Sequence, residues 1–348
     1  MKITKKILGQ LERVYATKIM EVNGRLNYIV ASEGVNQCIA YDAETLTATV
    51  IWDEPGGTMN IVPVPGRKNE FYATQKFAPT FNAQESRIVH GKVNDDNSWT
   101  VTPVMTIPYL HRFDLCLIED ALFLIGGILC KSKAFLEDWS DPGCIIMGKL
   151  EKDITQPFEL TTIYDGITKN HGFYAGEWNK RKAYLITGVE GVFAAYVPTH
   201  KNMPWEVERI FDFEVSDCAM CDIDGDGHLE LATIEKFHGE YGKIYKEING
   251  KWEMIHSHNY EFGHVVWGGR IQDEPAFIIG GRKGDMELVL FTMDDKGQIQ
   301  ETLIDHTGGP SNIDVINLNG KDVILAANRQ IGEAAIYEIT KDGESSTI

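Results

Sequence analysis

The chain has 348 residues, with 51 acidic against 33 basic ones and a net charge of −18. That balance argues against a nucleic-acid backbone or an anionic membrane as the main partner, and no apolar run approaches the ~20 residues of a membrane span. Six cysteines scattered over so long a chain do not make a small disulfide framework; with an N-terminus that lacks the apolar core of a secretion signal, they lead us to expect reduced thiols and a cytoplasmic location.

The first segment, ITKKILGQ, reads as a strand and aligns with outer-strand segments such as VERIFDFE further on. RVYATKIMEVNGRLNYIVASEG, from near Arg13, follows a pattern that then recurs: a polar residue, a short apolar run, a turn, and a second run ending in small residues. The later copies start at Asn60, His111, His171, Asp217, His264 and Asn312, at intervals of 51, 60, 46, 47 and 48 residues. That period is close to the one of four-stranded propeller blades. Between copies lie two further strand-like runs, such as GKIYKEI and KWEMIHSH, separated by NG, DG and KG turns as hairpins require. Nothing long reads as an amphipathic helix. The pattern predicts an all-β fold: one domain over 1–348, a seven-bladed β-propeller of four-stranded antiparallel blades. The N-terminal strand is expected to pair with the last blade and remove its open edge. A two-sheet sandwich array is the alternative, against which the regular and long period speaks.

In the fifth copy, CDIDGDGHLELATIE places Asp222, Asp224, Asp226 and Glu230 at positions 1, 3, 5 and 9 of a tight loop, with Gly225 and Gly227 permitting the backbone turns. Position 12, where an EF-hand needs a bidentate glutamate, is Thr233. The motif resembles the loop of FG-GAP or VCBS-type propeller repeats, and that resemblance implies a bound Ca²⁺. The loop falls in the turn between the first two strands, on the face opposite the starts of the first strands. We therefore expect a structural calcium site and not a reacting centre. Cys218 and Cys221 have C-x-x-C spacing but lie in a strand-like run, where an odd separation points them to opposite faces, so no redox or zinc role is assigned.

The starts of the innermost strands ring the mouth of the central channel: Arg13 (with Glu12 and Val14 as alternatives), Asn60, His111, His171, Asp217, His264 and Asn312. Three histidines at one repeat position with an aspartate between them suit Mn²⁺, Zn²⁺ or Fe²⁺. We expect His111, His171 and His264 as ligands and Asp217 as a weaker one. The ends of the second strands add Lys76, Glu190, Lys236, His238, Arg282 and Arg329 to the same rim. His238, Tyr174 or Glu190 is the expected proton-transfer group. Arg282, Arg329, Lys236 and Lys76 are expected to meet an anionic or hydroxylated substrate, or else carboxylates such as Glu190 and Glu235. Asn60 and Asn312 are expected to contact the substrate; Trp267 and Tyr174 would stack on a sugar or pack between blades. The long segment Cys130 to Cys144, read as the lead-in to the fourth blade, is expected to cover the mouth.

A metal ion flanked by cations and candidate bases suits β-elimination through a stabilised enolate. The histidine arc looks like the metal centre of oligogalacturonate lyases, and the calcium-loop blade is similar to fungal aldos-2-ulose dehydratase. These resemblances imply a metal-dependent lyase or dehydratase for a small-molecule carbohydrate. The alternatives are a non-catalytic propeller that binds carbohydrate or protein, and a metal-dependent hydrolase such as a lactonase. The sequence leaves the oligomeric state open.

Overall fold

The computed structural model describes residues 1–34 and 36–341. Its seven antiparallel sheets of four strands form a ring. The first strand of every blade touches the first strands of both neighbours, and that of the last blade touches that of the first. These seven strands therefore wall the central channel: Val14–Val22, Ile61–Pro63, Leu110–Ile118, Phe173–Trp178, Asp217–Cys221, Glu261–Ile271 and Asn312–Leu318. Among the described residues the helical content is one 3-10 turn, Thr80–Glu85. Among the described residues no helix is long and apolar enough to cross a membrane.

Burial explains the strand patterns. Second strands such as Ala121–Cys130 (ALFLIGGILC) and Lys321–Asn328 (KDVILAAN) are buried along almost their whole length, because blades pack on both faces of them. Outer strands such as Lys251–Asn259 are mostly exposed. Tight hairpins occur where the sequence has NG: Asn23–Gly24 and Asn249–Gly250 both have two successive residues at positive φ, as a type I′ turn requires. The N-terminal strand Lys2–Gln10 pairs antiparallel with Glu333–Thr340 and completes the seventh blade. Lys5 fastens it, with Nζ 2.9 Å from Asp305 and 2.8 Å from Glu333. All six cysteines are free thiols.

Two local expectations are corrected. The long segment ending at Cys144 joins the second and third strands of the third blade, Ala121–Cys130 and Pro142–Lys149, and does not lead into the fourth. In the first blade the channel residue is Tyr15, not Glu12, Arg13 or Val14. The strand pairing skips one residue between Val14 and Ala16, and such a bulge turns the extra side chain off the regular alternation. The same skip occurs around His111, between Leu110 and Arg112, and around His264, between Gly263 and Val265. Tyr15, His111 and His264 are thus the same structural position in three blades.

Candidate metal centre at the channel mouth

The bulges and strand starts aim three buried imidazoles into the mouth, and the neighbouring blade fixes each of them. His111 Nδ1 lies 3.0 Å from the His171 carbonyl, His171 Nδ1 3.2 Å from the Ser216 carbonyl, and His264 Nδ1 2.7 Å from the Ser311 carbonyl. A carbonyl only accepts, so Nδ1 carries the proton in each ring and Nε2 presents a lone pair. This is the arrangement that orients metal-ligating histidines. The close approach of blades four and five depends on Gly172: a Cβ there would sit 2.7 Å from Asp217 Cα and 2.5 Å from Thr187 Oγ1.

The fourth imidazole comes from a loop. His238 follows the strand Glu230–Glu235, has φ of 48°, and lies between Phe262 and Phe237 at centroid distances of 4.4 and 4.1 Å. Its Nε2 is 3.2 Å from His171 Nε2. Two nitrogens at Zn–N distances of 2.0–2.1 Å on a tetrahedral ion stand about 3.4 Å apart, so this pair has ligand spacing. The group able to hold an ion is His171, His238 and His264, whose ligand atoms lie within 4.8 Å of one another. His111 stands next to it, its ring 4.5 Å from that of His171.

The electrostatics keep these rings neutral. Burial, reinforced by Arg112, pushes His171 down to about 3, and burial holds His111, His238 and His264 well below the usual imidazole range. A neutral ring is the form that binds a metal. Asp217 moves the other way: burial raises its carboxyl to about 7, against the pull of Arg112 and of the Cys218 N–H. It is not in the ligand-spaced group.

These shifts fix a pH dependence. The unfolded histidines titrate near 6.5 and the folded ones lower, so below pH 6.5 the unfolded state takes up protons first and stability falls as pH falls. Each histidine contributes at most about 1.4 kcal/mol per pH unit. Asp217, raised in the folded state, opposes this between about pH 4 and 7. Four groups outweigh one. The chelator-treated protein is therefore expected to be less stable in urea at pH 5 than at pH 7; a higher midpoint at pH 5 would mean the rings are charged in the native state.

Two residues not expected in the site stand in it. The Tyr15 hydroxyl is 3.4 Å from His264 Nε2, with the rings edge to face at 5.4 Å. The Arg112 guanidinium lies 5.6 Å over the Tyr15 ring and donates to Asn312 Oδ1 at 2.7 Å and to the Met59 carbonyl. Asn60 and Asn312 donate through Nδ2 to the Phe113 and Tyr15 carbonyls, which links neighbouring blades; Asn60 Oδ1 is buried with no hydrogen-bond partner.

The other expected residues separate into those near the histidines and those engaged elsewhere. Arg282 lies 4.9 Å over Phe262, the ring stacked on His238. Arg329 pairs with Glu33. Tyr174 is packed between blades four and five, its hydroxyl donating to the Met220 carbonyl. Glu190 accepts from the Thr168 N–H. Trp267 packs at the boundary of blades six and seven. Lys76 pairs with Glu85, Lys236 is exposed, and Glu235 is taken by Lys243 and Tyr245. The segment after Cys130 reaches the wall of the site: Trp139 meets Phe237 at 5.3 Å, Lys133 Nζ sits 3.3 Å above Trp139, and Phe237 contacts His171 at 5.5 Å.

On the opposite face, the acidic loop is drawn together by backbone donors. Asp222 accepts from Gly227, Asp224 from Asp226, Asp226 from His228, and Glu230 from Ile223. Asp222, Asp224 and Asp226 also form a group able to hold an ion. The Lys246 ammonium stands among them, in contact with Asp224, 2.6 Å from Asp226 Oδ2 and 3.3 Å from Glu230 Oε1.

No protein-family model and no curated protein matches the chain. Solved structures do. A 6-phosphogluconolactonase-like protein of Bacteroides uniformis superposes with a TM-score of 0.58 at 11% identity, over 92% of this chain and 90% of that one. A second, from Bacteroides fragilis, gives 0.55 at 11% identity over 96% of each chain. The PQQ-bound aldose sugar dehydrogenase of Streptomyces coelicolor gives 0.47 at 12% identity, over 98% and 99%. At such identities the likeness is one of fold.

Proposed function

We propose that the protein is a metal-dependent lyase or dehydratase acting on a sugar, ketosugar or sugar acid at the channel mouth. The observation that carries this reading is the convergence of His171, His238 and His264, neutral and preoriented, in a buried polar mouth. Three imidazoles suit Zn²⁺, Mn²⁺ or Fe²⁺. When bound, such an ion polarises a carbonyl or carboxylate and makes the adjacent C–H more acidic.

The chain's own residues supply the rest. Because the three ligands are neutral, they leave the full charge of the ion in place, and Arg112 and Arg282 add to it; the mouth therefore favours an anionic or hydroxylated substrate. Proton transfer falls to groups on the channel wall. Asp217, held near pH 7, is suited to take the proton from carbon. The Tyr15 hydroxyl beside His264 is suited to give one to the departing oxygen. The C–H bond breaks, its electron pair forms the carbon–carbon double bond, and the β-oxygen leaves as water or an alcohol. Tyr174 and Glu190 are given no part: the Tyr174 hydroxyl donates to the Met220 carbonyl, and Glu190 Oε2 accepts from the Thr168 N–H.

Lactone hydrolysis at the same centre is the second reading, favoured by the likeness in fold to the two Bacteroides 6-phosphogluconolactonase-like propellers. One experiment separates the two. The metal-loaded protein is incubated with panels of uronates, ketosugars and lactones, while ultraviolet absorbance and acid release are followed together. The lyase reading expects an absorbing, unsaturated product, and a Tyr15→Phe variant slower by roughly 100-fold, as for loss of a general acid. Acid release from lactones without absorbance gives the hydrolase; neither signal, with no metal retained, discards both.

A further inference from the structure

We propose that the rim carries a subsite for a doubly charged oxyanion, the phosphate of a phosphorylated substrate, built by Arg13, Arg282 and Arg329 around Glu33. This rests on the histidine cluster being the reacting centre, and it names which end of the substrate lies away from it.

The connection to the centre is direct. His238 stacks on Phe262 with 20° between the planes, and the Arg282 guanidinium covers that same ring. Arg282 is partly buried; its Nε is shut off from water with no hydrogen-bond partner, and its Nη2 reaches Gln330 Oε1 at 3.3 Å. A guanidinium whose Nε–H is buried and unused is a costly thing to keep. Burial, and then the neighbouring Arg329, lower it to about 10, the mark of a cation short of counter-charge.

Among the described residues, the carboxylate that these guanidiniums contact is that of Glu33, and it is already in use. Arg13 donates to Glu33 Oε1 through Nε at 3.3 Å and Nη2 at 3.1 Å; Arg329 donates to the same oxygen through Nε at 2.6 Å and through Nη2. Arg329 Nη1 shares Gln330 Oε1 with Arg282. Two guanidiniums share this carboxylate and Arg282 joins them through Gln330, so three positive charges face one negative, which leaves two in excess. Nearby, Lys283 lies 5.0 Å over Phe262, while Lys169 is balanced by Glu214. On a chain with net charge −18, this island is where an anion is drawn in.

The size of the excess selects the ligand. A carboxylate would neutralise half of it. A phosphate monoester carries nearly two charges at neutral pH, and its oxygens match the parallel N–H pairs of guanidinium groups. Arg13 is half exposed, so the subsite is open to solvent while Arg282 forms its partly buried floor.

The test is calorimetric titration of the purified protein with inorganic phosphate and, separately, acetate, on the wild type, Arg282→Gln and Arg13→Gln. Saturable phosphate binding, at least 10-fold tighter than acetate and weakened 10-fold or more in Arg282→Gln, is the expected result. Arg13→Gln changes an exposed residue, so it keeps the test valid if Arg282→Gln misfolds; it should weaken phosphate at least threefold. Equal binding of acetate and phosphate overturns the dianion assignment. No saturable phosphate binding, or binding unchanged in both variants, overturns the subsite. Metal content is measured on the same samples. Phosphate bound through Arg282 in a protein without metal keeps the subsite and discards the metal reading, and the converse result does the reverse.

Discussion

Wild-type protein loaded with zinc or manganese is expected to hold one transition-metal ion per chain after exhaustive dialysis, and His171→Ala none. His171 shares ligand spacing with both other members of its group, and its Nε2 is the atom 3.2 Å from His238. Its removal takes away a ligand and the wall against which His238 is set. Loss of affinity should exceed the roughly 10- to 100-fold typical of residues that merely orient a ligand. His111→Ala supplies the comparison. His111 reaches the group through its ring contact with His171 and its bond to the His171 carbonyl, so it should fall within that 10- to 100-fold range and keep metal at higher concentrations. Competition with a chromophoric chelator gives both constants. If His111→Ala loses the metal as fully as His171→Ala, then His111 is itself a ligand and the first strands alone define the centre. If His238→Ala keeps the ion, the loop residue has been given the wrong role.

That comparison separates what repetition reveals in a sequence from what it hides. The spacing of the copies that start near Arg13 and at Asn60, His111, His171, Asp217, His264 and Asn312 is enough to place seven blades, because each copy must bury the same two inner strands. The closure by Lys2–Gln10 follows from the same logic, since the seventh copy lacks an outer strand of its own. His238 is legible as a rim residue but not as a member of the ligand-spaced group, for a physical reason: it sits in a loop at positive φ, outside the repeated strands, and reaches the mouth through stacking with Phe237 and Phe262. Tyr15 escapes because a single bulge residue shifts the register and an aromatic stands where other blades have imidazole. The Arg13–Glu33–Arg329 contact joins the two ends of the chain across 296 residues. Only closure of the ring brings these side chains together. Tyr174 and Trp267, each three residues after a histidine, take the packing alternative of the two expected for them and lie between blades.

Lys246→Met is expected to turn the acidic loop into a calcium-dependent element. The turns at Gly225 and Gly227, with φ of 72° and 88°, bring four carboxylates together, and hard cations favour such oxygen sets. The set equally fits the ammonium that stands in it, which contacts Asp224, Asp226 and Glu230. Glu230 is fully buried and its Oε1 faces the Lys246 ammonium at 3.3 Å, so its charge depends on a cation nearby. Removing one partner of a buried ion pair costs 3–5 kcal/mol; because Lys246 and Asp224 are about one-fifth exposed, a loss of about 2–3 kcal/mol is expected without calcium. Calcium binding only to the folded variant would restore this, about 2.7 kcal/mol at a hundred times its dissociation constant. The loop opens on a groove of 860 Å³ lined by Asp224, Asp226, Lys246 and Glu274, so the ion has access. In the wild type, calcium must first displace the ammonium, and the same addition should move the urea midpoint little. A wild type strongly stabilised by calcium would reverse the assignment: Lys246 would then yield to the ion, and the loop would be the calcium staple that its spacing suggests.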